Sequence, residues 1–158
     1  MGKEPDSQEK LLLRLLRRFQ EEEVQYVLVG GQAVRINGFL RATEDVDLLL
    51  EPTKANGEKV IRALNFLASS VELDSAWFAP HPDGEVENIR IADELIVDLL
   101  FAANGQSLKD LEPYIVHFDL HGIVVKVLNI DGLLRSKTDY REKDILDKAV
   151  LRRLREAL

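Results

Sequence analysis

Apolar residues along the chain fall into two rhythms. Leu11, Leu12, Leu15, Leu16 and Phe19 recur at helical spacing and mark one face of an amphipathic helix from Ser7, its cap, to about Glu23. Residues 1–6 ahead of it are polar and are expected to fray. Tyr26 to Val29 is a short apolar run that ends at Gly30-Gly31, the pattern of a buried strand followed by a tight turn. A short helix is predicted over Gln32 to Asn37, stopped by Gly38. Asp45 to Leu50 is a strand stopped by Pro52, and a helix follows from about Ala55 to Ala68.

Residues 69–84 hold Pro80, His81, Pro82, Asp83 and Gly84 and are expected to form a mobile loop. Val86 to Ile91 and Leu95 to Phe101 form a first hairpin, and a helical turn follows near Leu108 to Leu111. Tyr114 to Leu120 and Ile123 to Leu128 form a second hairpin around His121-Gly122. Two helices close the chain, over Ile130 to Lys137 and Arg141 to Leu158. Strands outnumber crossover helices, which points to the α+β class. The expected architecture is a mixed, mostly antiparallel sheet with helices mainly on one face. No internal repeat is visible.

At 158 residues the chain fits one domain, taken as residues 1–158. Hydrophobic residues at 46% and charged residues at 31% suit a globular core rather than disorder. With 21 basic and 28 acidic residues the formal charge is −7, which excludes binding to nucleic acid by bulk positive charge while leaving room for a local patch. No cysteine is present, so disulfides, zinc thiolates, iron–sulfur clusters and thiol nucleophiles are excluded. Arg14 interrupts the leucines near the N-terminus, no cleavage site follows, and no run approaches the length of a membrane span. A cytoplasmic protein that makes no use of a membrane is expected.

The candidate chemistry begins at Asp45 and Asp47. Alternate residues of a strand project from one face, so these two acids share a face of an otherwise apolar strand. They repel each other and pay for burial, and a divalent cation between them removes the conflict. Mg²⁺ favours such oxygen ligands, sharing its remaining sites with water and phosphate. Asp98 lies inside another apolar run, Leu95 to Phe101. If the two strands are neighbours, three carboxylates converge in the layout that holds two metals about 3.5–4 Å apart during phosphoryl transfer. Gly30 and Gly31 permit close backbone approach, and free N–H groups at a helix start bind phosphate.

Gly30-Gly31, then Arg41-x-Thr43-x-Asp45-x-Asp47, then Asp98 together resemble the nucleotidyltransferase fold of the DNA polymerase β superfamily. The likeness is closest to aminoglycoside and lincosamide nucleotidyltransferases and to AbiEii-type toxins. Lys137, followed by Arg141, Lys143, Asp144 and Asp147, resembles a later motif of the toxin branch. The resemblance spans roughly residues 24–150. It implies Mg²⁺-dependent transfer of a nucleoside monophosphate from a nucleoside triphosphate to an acceptor hydroxyl, with two ions and Mn²⁺ as an alternative. Asp45, Asp47 and Asp98 would be the metal-binding and catalytic acids. Gly30, Gly31, Arg41, Thr43, Lys137 and Asp144 would be nucleotide-binding. An RNA 3′ end, a protein hydroxyl and a small molecule all remain as acceptors. The competing reading is a nucleotide-sensing or protein-binding module without turnover.

Each assignment has a plainer alternative. Asp98 could pair with Arg90, Arg41 with Glu44 or Asp45, and Asp144 with Arg141 on a helix face. Lys137 could be a solvated helix residue. His81, His117 and His121 lack metal-ligand spacing and are read as structural or surface residues. Trp77 and Phe78 read as loop anchors before base-stacking groups. Residues 137–158 hold seven basic and five acidic side chains, so Arg152, Arg153 and Arg155 form a patch for RNA or a partner, or a solvated helix face. The apolar faces of the first and last helices suggest a homodimer or a partner protein.

Overall fold

The computed structural model describes residues 7–37 and 45–157. The elements run α1 (Ser7–Glu21), β1 (Tyr26–Val29), α2 (Gly30–Ile36), β2 (Asp45–Leu50), α3 (Lys54–Ala63), β3 (Ile89–Ala92), β4 (Ile96–Leu100), α4 (Leu108–Leu111), β5 (Ile115–Leu120), β6 (Ile123–Leu128), α5 (Ile130–Ser136) and α6 (Glu142–Glu156). The strands form one sheet in the order β3-β4-β2-β1-β6-β5. The β3–β4, β2–β1 and β6–β5 pairs are antiparallel, while β4–β2 and β1–β6 are parallel. The expected α+β class with a mixed, mostly antiparallel sheet is the fold observed.

Register divides the sheet into two faces. Leu28 pairs with Leu48, Leu48 with Leu99, and Val46 with Val97, so these side chains share one face. All five are fully buried. Tyr26 lies on the same face, and its ring meets Phe19 of α1 edge-on at 5.2 Å between centroids. Leu12, Leu15, Leu16 and Phe19 of α1 are buried against this side of the sheet, each worth about 1.5–3 kcal/mol of burial. α1 also holds its neighbours. The Arg18 guanidinium donates to the carbonyls of Arg62 and Ala63, and Arg35 of α2 pairs with Glu9 at 2.8 Å. Helix α1 therefore contacts both α2 and α3.

Asn56 ties the start of α3 to the sheet. Its Oδ1 accepts from Gln25 N at 2.8 Å, and its Nδ2 donates to the carbonyls of Gln25 and Glu51. The β5–β6 turn places His121 and Gly122 both at positive φ, 52° and 83°, the geometry of a two-residue hairpin turn.

Three expectations need correction. Helix α3 ends at Ala63 rather than Ala68, where Arg18 satisfies its last carbonyls. Residues 69–84 are not a plain loop. Two 3₁₀ turns, Ala68–Glu72 and Ser75–Phe78, carry Phe78 into the core, edge-on to Phe101 at 5.8 Å. Phe78 is the loop anchor, while Trp77 is exposed. The stripe of α1 is not left open, because the sheet covers it. On α6, Leu151 is buried and Val150 and Leu154 are half-buried, so the stripe proposed for self-association is largely satisfied within one chain. The exposed apolar residues near the start of α6 are instead Tyr140, Ile145 and Leu146. No helix among the described residues is long and apolar enough to cross a membrane.

Candidate active site

Parallel pairing of β2 with β4 sets Asp47 directly across from Asp98, and Asp45 across from Ile96. Strand alternation then projects Asp45, Asp47 and Asp98 from one face, opposite the α1-covered core. Antiparallel β3 adds Arg90, the register partner of Asp98. Its guanidinium lies 3.1 Å from the Asp98 carboxylate and 3.5 Å from Asp45. The pairing of Asp98 with Arg90 that the sequence allowed is therefore present, and it coexists with the acid cluster. Among the described residues, no three acids or histidines are arranged to enclose a cation, and Arg90 bridges two of the three carboxylates.

The Asp47 carboxyl is held up at about 6. Burial is the largest cause, the Asp98 carboxylate and a hydrogen bond shared with it come next, and the Lys143 ammonium pulls the other way. Crowded carboxylates are short of positive charge, the condition a divalent cation relieves.

The backbone at Gly30 adds a second constraint. Its φ is +73°, and a Cβ there would fall 2.0 Å from Asp47 Oδ2. Only glycine lets the turn between β1 and α2 lie directly against this carboxylate. Val29 at the N-cap of α2 makes no side-chain cap bond, and Gly30 and Gly31 at the start of the helix line the cleft. The helix begins at Gly30 itself, two residues earlier than the pattern suggests. Gly30 and Gly31 line a cleft of about 200 Å³ together with Asp47, Asn88, Lys137 and Lys143.

Lys137 and Asp144 also reach this cleft, but both are engaged. The Lys137 ammonium pairs with Asp147 at 3.1 Å, both side chains less than a tenth exposed, so the solvated alternative does not hold. Asp144 accepts from the backbone N–H of Thr138 at 2.9 Å and from its hydroxyl at 2.8 Å. Burial opposes ionisation of Asp144, but the Thr138 hydrogen bonds and the charges of Lys137 and Arg141 outweigh it and hold its pKa below the usual carboxylate range. Asp144 thus secures the turn into α6. Arg41 and Thr43 lie outside the described residues.

Two residues join the site that the sequence did not single out for it. Lys143 belongs to the tail motif, where the resemblance marks its neighbour Asp144; the geometry brings Lys143 into the field of Asp47. Asn88 precedes β3, and only the β3–β4 register, unreadable from local pattern, brings it to the cleft.

A sheet with a glycine turn laid against paired aspartates is the arrangement of the nucleotidyltransferase fold, and the chain has that fold. The lincosamide antibiotic adenylyltransferase LnuA, solved with lincomycin bound, matches over 97% of this chain and 99% of its own, with a TM-score of 0.59 and 16% identity. A Thermotoga maritima protein, a nucleotidyltransferase by inference, matches over 94% and 92%, with a TM-score of 0.54 and 15% identity. No family model matches the sequence, and no curated protein matches it either.

Proposed function

We propose that the protein is a nucleotidyltransferase that moves a nucleoside monophosphate from a nucleoside triphosphate to an acceptor hydroxyl. The observation that carries this reading is the contact of Gly30 with Asp47, itself across from Asp98, in one cleft. The fold shared with a lincosamide adenylyltransferase supports a nucleotide as donor. Carboxylate oxygens are the donors Mg²⁺ prefers, with Mn²⁺ as a substitute, and Asp45, Asp47 and Asp98 would hold it once Arg90 leaves its pairs with Asp45 and Asp98. When bound, such ions neutralise charge on the phosphates and on both the attacking and the leaving oxygen.

The chain's own groups do the rest. The Gly30-Gly31 turn receives the phosphates through backbone N–H groups, and Lys143 adds a point charge at the same cleft. Lys137 contributes charge from behind, with Asp147 holding it in place. The acceptor oxygen bonds to the α-phosphorus as the bond to the β-phosphate oxygen breaks, and pyrophosphate leaves. Asp98, oriented by Arg90, takes the hydroxyl proton. Rate acceleration comes mainly from positioning and charge neutralisation.

A second reading, a nucleotide-binding module without turnover, draws on Arg90, which already supplies a cation to Asp45 and Asp98. Retention of all three acids favours the enzyme. The neighbour LnuA matches the antibiotic-modifying branch and the Lys137–Asp147 tail the toxin branch, so the acceptor decides between them. Titration calorimetry of nucleoside triphosphates with and without Mg²⁺, followed by a pyrophosphate-release assay, tests the proposal. Mg²⁺-dependent binding with release supports the enzyme, binding without release supports the module, and no binding overturns both.

A further inference from the structure

Another groove lies between α5 and α6. Lys148, Arg152 and Arg155 follow one another at four- and three-residue spacing, which sets them on one side of α6. Together with Arg135 of α5 they line a groove of about 670 Å³. Four cations and one carboxylate, Asp131, line it on a chain of net charge −7, and a second carboxylate, Asp139, neutralises the buried Lys148, so the positive charge rests on the three arginines. Several are held in place. Arg135 lies over the Tyr114 ring, 4.8 Å from its centre, Arg155 pairs with Asp131 at 2.8 Å, and Lys148 pairs with Asp139 at 2.6 Å. Arg135 and Arg152 are exposed.

This groove adjoins the candidate active site. Asn104 lines both, and its Nδ2 donates to the carbonyls of Arg135 and Lys137, one residue on each side. A ligand lying in the groove would therefore have one end at the cleft.

We propose that the groove binds the phosphodiester backbone of a single-stranded nucleic acid and presents its terminal hydroxyl to the cleft as the acceptor. Guanidinium groups match phosphate with paired donors, and several along one helix side match a repeating anion. Tyr114 with Arg135 upon it supplies a flat surface on which a base stacks. An acidic protein partner fits less well. Protein interfaces centre on apolar anchors, and Leu134 is the one aliphatic residue among the groove's lining. The acceptor role rests on the transferase reading above, whereas the binding does not.

The test is fluorescence anisotropy of a short labelled oligoribonucleotide with the full chain, followed as a function of salt. The wild type should bind at low salt, and Arg135→Glu with Arg152→Glu should weaken binding at least about tenfold and flatten the salt dependence. Circular dichroism checks that the variant is folded. Its affinity for nucleoside triphosphate should not change, because neither residue lines the candidate cleft. An oligodeoxynucleotide of the same sequence tells which sugar is preferred, and binding of either strand supports the groove. Absence of binding, equal binding by the variant, equal binding of a duplex, or equal competition by polyglutamate overturns the proposal. Strand binding without triphosphate binding would instead refute the transferase reading and leave the groove standing.

Discussion

A Cβ placed on Gly30 would lie 2.0 Å from the Asp47 carboxylate oxygen, so the glycine turn and the acid occupy one another's only available space. The contact links backbone conformation to site chemistry, because Gly30 also sits at φ +73°, where other residues are strained. Gly30→Ala should therefore cost about 2–4 kcal/mol and displace Asp47. Gly84→Ala, also at positive φ but with nothing near its Cβ, should cost only about 1 kcal/mol. Thermal melts of the two variants check the contrast, and equal melting points would show that Asp47 simply yields.

Asp47→Asn should abolish transfer and stabilise the metal-free protein. The carboxyl is raised from 3.8 to about 6, so folding favours its protonated form. That contribution is fully present below about pH 4 and is lost as pH rises through 6. The stability gap between Asp47→Asn and wild type should thus widen over that window, to about 3 kcal/mol at neutral pH. Asp144 works in the opposite direction. Its pKa is lowered, so its contribution is present at neutral pH and lost on acidification. The difference between the two proteins, not the wild-type curve alone, is therefore the quantity to measure by denaturant titration. A gap that is flat with pH would contradict the crowding of Asp47 by Asp98.

Arg90 is the built-in counter-charge of the cluster. Its side chain is more than half exposed, so Arg90→Gln should lower metal-free stability by no more than about 1 kcal/mol. The variant should gain more from added Mg²⁺ than the wild type does, because it lacks the cation that bridges Asp45 and Asp98. Differential scanning fluorimetry with and without Mg²⁺ reads both effects.

The Lys137–Asp147 pair is buried on both sides. Lys137→Met alone should cost about 3–5 kcal/mol by removing the cation buried against the Asp147 carboxylate, and the double change with Asp147→Leu should recover most of it. Triphosphate affinity of the refolded double variant then isolates the charge of Lys137. Affinity equal to wild type would limit the lysine to a structural role.

Strand positions and the shared face of Asp45 and Asp47 were legible in the sequence because a period of two in a short apolar run admits one reading. The meeting of Asp98 with Asp47 was legible only as a condition. It depends on β2 and β4 pairing in parallel across a long connection, which no local pattern records. Lys143 and Asn88 were missed for the same reason. Lys137 was recognised by residue type, but its burial against Asp147 depends on how α6 folds back on α5. The 3₁₀ turns around Phe78 were hidden by the prolines and glycine beside them, which mark irregular chain without saying whether it packs.

The central claim is that the protein cleaves a nucleoside triphosphate between its α- and β-phosphates and keeps the α-phosphate on an acceptor. Incubation with triphosphate labelled at the α or the γ position, with Mg²⁺ and a panel of RNA, protein and small-molecule acceptors, tests this directly. The account predicts that α label moves to an acceptor and γ label leaves as pyrophosphate, both lost in Asp47→Asn. Release of γ label as orthophosphate, or α label that stays in triphosphate for wild type and variant alike, would contradict it.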